Sequence, residues 1–494
     1  MKDKRNSRLD TALIIVFLLL CICAAVHISS NKELQIDEVS TFFQSNGESL
    51  YQVTQSTLTG FNIMPVFYFY CTYFALNIFG ESELSMRSVN IIFFVVTLLY
   101  IYVKFAKIYS SRVSLIYIML SVICFNLTIY TLTEARPYSL YYTLFFLILN
   151  ICLFYKTNSK DKYILIISNI IFINTFHFSG IYSLTVNIVV LLMYLNNRES
   201  KYKELSIYLF IGLIIGSILN GFVAYIQYLN SYNLSLHSDP EKLHQFKENF
   251  NSLFCFPFFT VFITTIIVLI KGSESTNLPS GFKCNYKGLL VISLAVSIIP
   301  ILLFIFGYLT SKAIAQTRYF IPSFCCIIPF TIMLSFFLSD KINKFRKSNL
   351  VLIFFTLGVF ADFFLQFKIW DNLYKSNQNN PRLKSILPEG STVITHCIEL
   401  AKRLHFYKEI KCDPILLVSH EDTKDYFKKF SPSINCITLD DLETDFRFLS
   451  KDLVFMIDDE INSRILNKII SNDYSKRLKN DTIYTKFIHI YEKN

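Results

Sequence analysis

Along most of the chain the apolar positions follow neither an alternating nor a 3.6-residue period. They fall in continuous runs, most close to the ~20 residues that carry a helix across a ~30 Å hydrocarbon core. The runs are 11–28, 88–103, 113–131, 138–155, 163–176, 180–195, 206–228, 253–270, 288–308, 319–338 and 350–367, eleven in all. One such run could be a buried helix of a soluble protein. Eleven in series, separated by short charged loops, predict an α-helical polytopic membrane protein. The first run follows a basic stretch (Lys2, Lys4, Arg5, Arg8) without an A-x-A-like cleavage site, which predicts an uncleaved first span. A further apolar stretch, 62–79, opens with Phe61-Asn62-Ile63-Met64-Pro65.

After residue 367 the pattern changes. Short β-rich runs, Thr392–Thr395, Ile415–Val418, Cys436–Leu439, Leu453–Ile457 and Thr482–Tyr491, alternate with polar helical stretches. That predicts a small α/β domain over 368–494, attached to a transmembrane domain over 1–367. It contains no phosphate loop and no G-x-G-x-x-G, and neither half of the chain repeats the other.

Charge decides the topology. The chain has 494 residues, 53% hydrophobic, 16% aromatic and only 17% charged, with a net charge of +10. If 62–79 lies along the interface without crossing, one side receives 20 Lys/Arg and the other seven. If it crosses, the segregation collapses. The positive-inside rule therefore predicts the N-terminus inside, the C-terminal domain outside and an interfacial helix at 62–79. The basic excess belongs to loops, which removes a nucleic-acid role. Most of the twelve cysteines lie in apolar runs and no C-x-x-C occurs, so no zinc ribbon or thioredoxin motif is expected.

The ionisable residues that escape this rule lie at outer span ends: Asp37-Glu38, Glu81, Glu83, Arg87, Glu134-Ala135-Arg136-Pro137-Tyr138, His177, His237, Asp239, His244, Lys312, Gln316 and Arg318-Tyr319. Some have ordinary explanations. Glu83 and Arg87 are spaced i, i+4, which predicts a helix-end ion pair. The His237/Asp239/His244 group reads as loop polarity. Asp362, near the outer end of the last span, is either a packing acid or functional. Taken together, the set suits a surface site for a charged, lipid-held substrate. Arg136 and Arg318, helped by Lys312 and His177, can meet phosphate. Asp37 and Glu38 can act as general base.

The ordered set Ile36-Asp37-Glu38, Met64-Pro65-Val66-Phe67-Tyr68, Phe79-Gly80-Glu81-Ser82-Glu83, Met86-Arg87-Ser88, Glu134-Ala135-Arg136-Pro137-Tyr138, Phe176-His177-Phe178-Ser179-Gly180 and Arg318-Tyr319 resembles the GT-C glycosyltransferase superfamily. The similar branch contains protein O-mannosyltransferases, aminoarabinose transferases acting on lipid A, and RgtA/B/C/D-like enzymes. The likeness spans roughly residues 10–340. It implies a GT-C-type bundle with an interfacial helix in the first outer loop. It implies a polyprenyl-phosphate sugar donor and a lipid, glycan or protein acceptor in the envelope of a bacterial cytoplasmic membrane. By the same resemblance, Asp37 and Glu38 are catalytic, and Glu134, Arg136, Tyr138, His177, Lys312, Arg318 and Tyr319 bind substrate. No metal ligand is assigned. Ser139-Leu140 stands where an acid usually follows the A-R element, which weakens a requirement for a divalent metal, the one cofactor left open. An envelope lipid or oligosaccharide transporter or polymerase, and a non-catalytic scaffold, are the alternatives.

Overall fold

The computed structural model describes residues 2–58, 64–124, 128–157, 160–230, 280–310, 317–345 and 348–376. Of the C-terminal region it describes 392–395, 401, 405–407, 413–418, 435–438, 453–456, 474–483 and 486–493. The helices are α1 (Lys2–Asn31), α2 (Ile36–Ser45), α3 (Leu50–Leu58), α4 (Phe67–Phe79), α5 (Glu83–Ile108), α6 (Ser111–Cys124), α7 (Thr128–Leu132) and α8 (Tyr138–Phe154). They continue with α9 (Asp161–Ile173), α10 (Ser179–Asn197), α11 (Ser200–Asn230), α12 (Ser280–Thr310), a 3-10 helix (Thr317–Ile327), α13 (Ile328–Lys344) and α14 (Ser348–Ser376). Among the described residues seven helical stretches are long and apolar enough to cross a membrane. Shorter apolar helices at Phe67–Phe79, Ser111–Ile123 and Tyr138–Phe154 accompany them. The expected span 253–270 lies outside the described residues.

The bundle is greasy on its outside. Ile218, Phe222, Phe354 and Phe364 are each more than 60% exposed. Such faces would aggregate in water but are solvated by lipid. The protein is an integral membrane protein.

Polar contacts tie the helix ends into two separate layers. In one, Arg112 lies 3.6 Å from Asp10 and donates to Asn343 and Asn349. Lys104 pairs with Asp161, and the Tyr155 hydroxyl donates to Glu204. In the other, Arg87 pairs with Glu38, His177 bonds Asn220, and Gln227 Nε2 donates to the carbonyls of Thr57 and Met64. α1, α5 and α11 each run from one layer to the other. Apart from Asn220, which lies within α11, these pairs join loops or helix ends predicted to share a side.

The stretch 62–79 yields α4, whose 13 residues span about 20 Å, too short for the hydrocarbon core. Met64, before its start, is held by Gln227 at 2.7 Å. After its end, Glu81 accepts from Asn46 at 3.0 Å. Both ends therefore belong to one layer, as an interfacial helix requires. Gly80 closes α4 at φ +81°, a conformation open to glycine at no steric cost. The tight hairpin expected over 163–195 is α9 and α10, with its turn at 174–178.

The C-terminal strands are β1 (Thr392–Thr395), β2 (Asp413–Val418), β3 (Asn435–Thr438), β4 (Leu453–Met456), β5 (Tyr474–Ile483) and β6 (Lys486–Lys493). They form one sheet in the order β3-β2-β1-β4-β6-β5. The first four positions are parallel. The edge is an antiparallel hairpin. The single strand expected over 482–491 is instead divided between β5 and β6 of this hairpin. α14 continues to Ser376, nine residues past the end of its apolar run.

Candidate active site

The site is assembled on α2, the turn before α8 and the start of α5. Asp37 and Glu38 occupy the first turn of α2, where carboxylates meet the positive end of the helix dipole. Glu38 also accepts from the backbone N–H of Gln35 at 2.8 Å, closing the helix start.

Glu38 is fully buried. Arg87 grips it with two parallel bonds of 2.9 Å, from Nε and Nη2. The remaining Arg87 donors go to the carbonyls of Ser29 at 2.8 Å, Lys32 at 2.7 Å and Glu33 at 3.2 Å. All five guanidinium N–H groups are thereby used. A buried charge is tolerated only when matched in this way. The expected Glu83–Arg87 pair is not what organises this end of α5: Arg87 turns inward to Glu38. The Arg87 guanidinium and the Lys32 ammonium, opposing a strong burial effect, hold the Glu38 carboxyl down at about 2. Glu38 therefore makes a poor proton acceptor, and its geometry is that of a support.

What Glu38 supports is the turn carrying Arg136. The Ala135 N–H donates to Glu38 Oε1 at 2.5 Å. Asn90, one helical turn after Arg87, donates to the carbonyls of Glu134 at 2.6 Å and Arg136 at 3.0 Å. The turn is thus pinned on three successive residues. Arg136 is delivered beside Asp37: Nη1 donates to the Asp37 carbonyl at 3.2 Å and to Thr41 Oγ1 at 3.3 Å. Its Nη2 lies 3.8 Å from Asp37 Oδ2. The Arg136 guanidinium also lies 5.9 Å from the centre of the Tyr138 ring. The Asp37 side chain is 50% exposed, whereas that of Arg136 is 5% exposed. An accessible carboxylate beside a fixed, nearly buried guanidinium can take a proton and face an anion at one point.

Lys32 lies behind this pair, 4.0 Å from Glu38 and 3.8 Å from Glu134. It is 4.4 Å from the centre of the Tyr374 ring. Burial pushes Lys32 down against the pull of both acids. Burial pushes Glu134 up, to about 7, against Lys32. Lys32 and Asn90 were not predicted as site residues. Their signals were a lysine on the sparsely basic side, and an amide in an apolar run three residues after Arg87.

Of the remaining expected residues, His177 and Asp362 have described side chains. His177 bonds Asn220 at 2.6 Å, and Asn220 donates to the Ile173 carbonyl at 2.8 Å. Its contacts lead to α11, and burial lowers its affinity for a proton against hydrogen bonding to Asn220 and Gln227. Arg318 and Tyr319 lie at the start of the 3-10 helix; their side chains fall outside the described residues. So do Lys312, Gln316, His237, Asp239 and His244. Asp362 is exposed and accepts from Gln366 at 2.8 Å, away from the site. Among the described residues no group of three or more His, Cys, Asp or Glu side chains could hold a metal ion.

No family model matches the sequence, and no curated protein matches it. Solved structures do. ArnT from Cupriavidus metallidurans bound to undecaprenyl phosphate superposes with a TM-score of 0.55 at 10% identity, over 97% of this chain and 98% of that one. The chain has a GT-C fold. An oligosaccharyltransferase from Archaeoglobus fulgidus, in complex with zinc and sulfate, is more distant: TM-score 0.42, 10% identity, 85% of this chain and 68% of that one. The superposition on ArnT runs along nearly the whole of both chains.

Proposed function

We propose that this protein is a membrane glycosyltransferase that moves a sugar from a polyprenyl-phosphate donor to an extracytoplasmic envelope acceptor, whether glycan, lipid or protein. One observation carries the reading: Asp37 and Arg136, from segments 99 residues apart, meet at a single exposed edge of an otherwise buried charge cluster. The fold shared with a transferase bound to undecaprenyl phosphate supports it.

In this reading Asp37 accepts the proton of the acceptor hydroxyl as its oxygen attacks the anomeric carbon. The bond from that carbon to the phosphate oxygen breaks, and its electron pair leaves on the polyprenyl phosphate. Attack opposite the leaving group inverts the anomeric centre. Arg136 faces the charge that grows on the phosphate, where a preorganised cation acts most strongly in the transition state. Glu38 holds Arg87 and the 134–136 turn, and so acts through the other two residues. Tyr138, Lys312, Arg318 and Tyr319 are assigned to the donor, Glu134 to the floor of its phosphate site, and His177 to the rim. Residues 368–494 form the extracytoplasmic domain of a bacterial cytoplasmic-membrane protein whose N-terminus is inside.

Membranes containing the protein, supplied with a panel of radiolabelled undecaprenyl-phosphate sugars, should label an envelope acceptor. Asp37→Ala and Arg136→Ala should each lower transfer by at least ~100-fold, with insertion and amount unchanged. Full activity in both variants would refute the assignment.

A further inference from the structure

We propose that the C-terminal region sets the position of the general base, through Tyr407 acting as a positioning residue for Asp37. This inference rests on the transferase reading and gives the region beyond Ser376 a part in the reaction.

The observation is the set of bonds on the entry to α2. Arg87 takes the carbonyls of Lys32 at 2.7 Å and Glu33 at 3.2 Å. Glu38 takes the N–H of Gln35 at 2.8 Å. The N–H between them, of Leu34, donates to the Tyr407 hydroxyl at 2.7 Å. Four successive residues are thus held, and one of the four holds comes from the C-terminal region. Leu34 and Tyr407 are both buried, so water does not compete for this bond.

Two ring contacts reinforce it further along α2. Phe406 meets Phe42 edge-on with centroids 4.7 Å apart. His405 lies 5.8 Å from Phe43. Ala401 and Cys436 join Leu34, Val39, Phe42, Phe43 and Ala135 in one apolar cluster. α2 is therefore gripped by Arg87 from within the bundle and by Ala401, His405, Phe406 and Tyr407 from the C-terminal region. Asp37, three residues after Leu34, rides on the segment held between the two grips. Loss of the Tyr407 hydroxyl should let the entry to α2 move while the Glu38–Arg87 anchor and the donor site stay intact. A general base displaced by a fraction of an ångström slows the chemical step more than it weakens donor binding.

The test compares wild-type full-length protein with Tyr407→Phe and Phe406→Leu, in membranes or detergent. Two readouts are used: the kinetics of sugar transfer, and hydrogen–deuterium exchange of peptides covering 33–45. The expected result for Tyr407→Phe is a kcat lowered roughly tenfold, a donor KM within twofold of wild type, and faster exchange at 33–45. Phe406→Leu should show the same pattern more weakly, and carries the test if Tyr407→Phe does not insert. Unchanged kcat, or unchanged exchange at 33–45, would overturn the proposal. If the wild-type protein transfers no sugar from any donor, the transferase reading fails, and the exchange result alone decides whether Tyr407 holds α2.

Discussion

On a helix successive residues are turned by about 100°, so Asp37 and Glu38 leave α2 in different directions and meet different solvents. Asp37 has half its side chain exposed. Glu38 has none, and is matched by a bidentate arginine and two backbone N–H groups. Titration separates the buried acids in the same way. Glu134 is pushed up from 4.5 to about 7 by burial. The folded protein therefore holds a proton there that the unfolded chain releases, and Glu134 makes stability fall as pH rises from about 4.5 to about 7. Glu38 acts in the opposite sense and in a lower window: its contribution is present above 4.5 and is lost as pH falls toward 2. Glu134→Gln should flatten the decline between pH 4.5 and 7, a change of roughly 3 kcal/mol. Thermal unfolding in detergent across that range checks it, and a slope equal to that of wild type would contradict the burial of Glu134.

At the scale of elements, close helix packing keeps His177 and the interfacial loop in place. α9 lies against α11 where the latter carries Gly212 and Gly216. A Cβ on Gly212 would stand 2.9 Å from Asn169 Cβ and 3.1 Å from the Ile166 carbonyl. One on Gly216 would stand 3.0 Å from Ile173 Cβ. A methyl group on Gly212 forces α9 and α11 to shift, and one on Gly216 forces Ile173 to give by a few tenths of an ångström. Gly212→Ala and Gly216→Ala should each cost about 1–3 kcal/mol of stability, measured as a lower midpoint of thermal unfolding. Gly221→Ala, which meets nothing within 4 Å, should be neutral or slightly stabilising, since alanine is the better helix former.

For the whole molecule the decisive property is sidedness. The Asp10–Arg112 pair and the Glu38–Arg87 pair tie opposite ends of α1, so the two polar layers lie on opposite sides of the bundle. In a background whose own cysteines are replaced, Glu48→Cys and Glu81→Cys should react with a membrane-impermeant thiol reagent in intact cells. Lys107→Cys and Lys344→Cys should react only after permeabilisation. Labelling of all four from one side would refute the topology and, with it, a site on the outer face.

Most of the described helices, the grouping of their ends into two layers, the shortness of α4 and the four parallel C-terminal strands were legible in the sequence. The reason is physical: run length, loop charge and β-alternation are local properties, each read within a window shorter than one element. The pairing of Arg87 with Glu38 rather than Glu83, the choice of Asp37 as the accessible acid, the place of Lys32 beneath them and the grip of Tyr407 on α2 were decided by tertiary structure. Apart from the Lys32–Glu38 approach, their partners come from 49 to 373 residues away. A buried charge or N–H is satisfied by whichever group the packed helices bring within 3 Å, and sequence spacing carries no record of that.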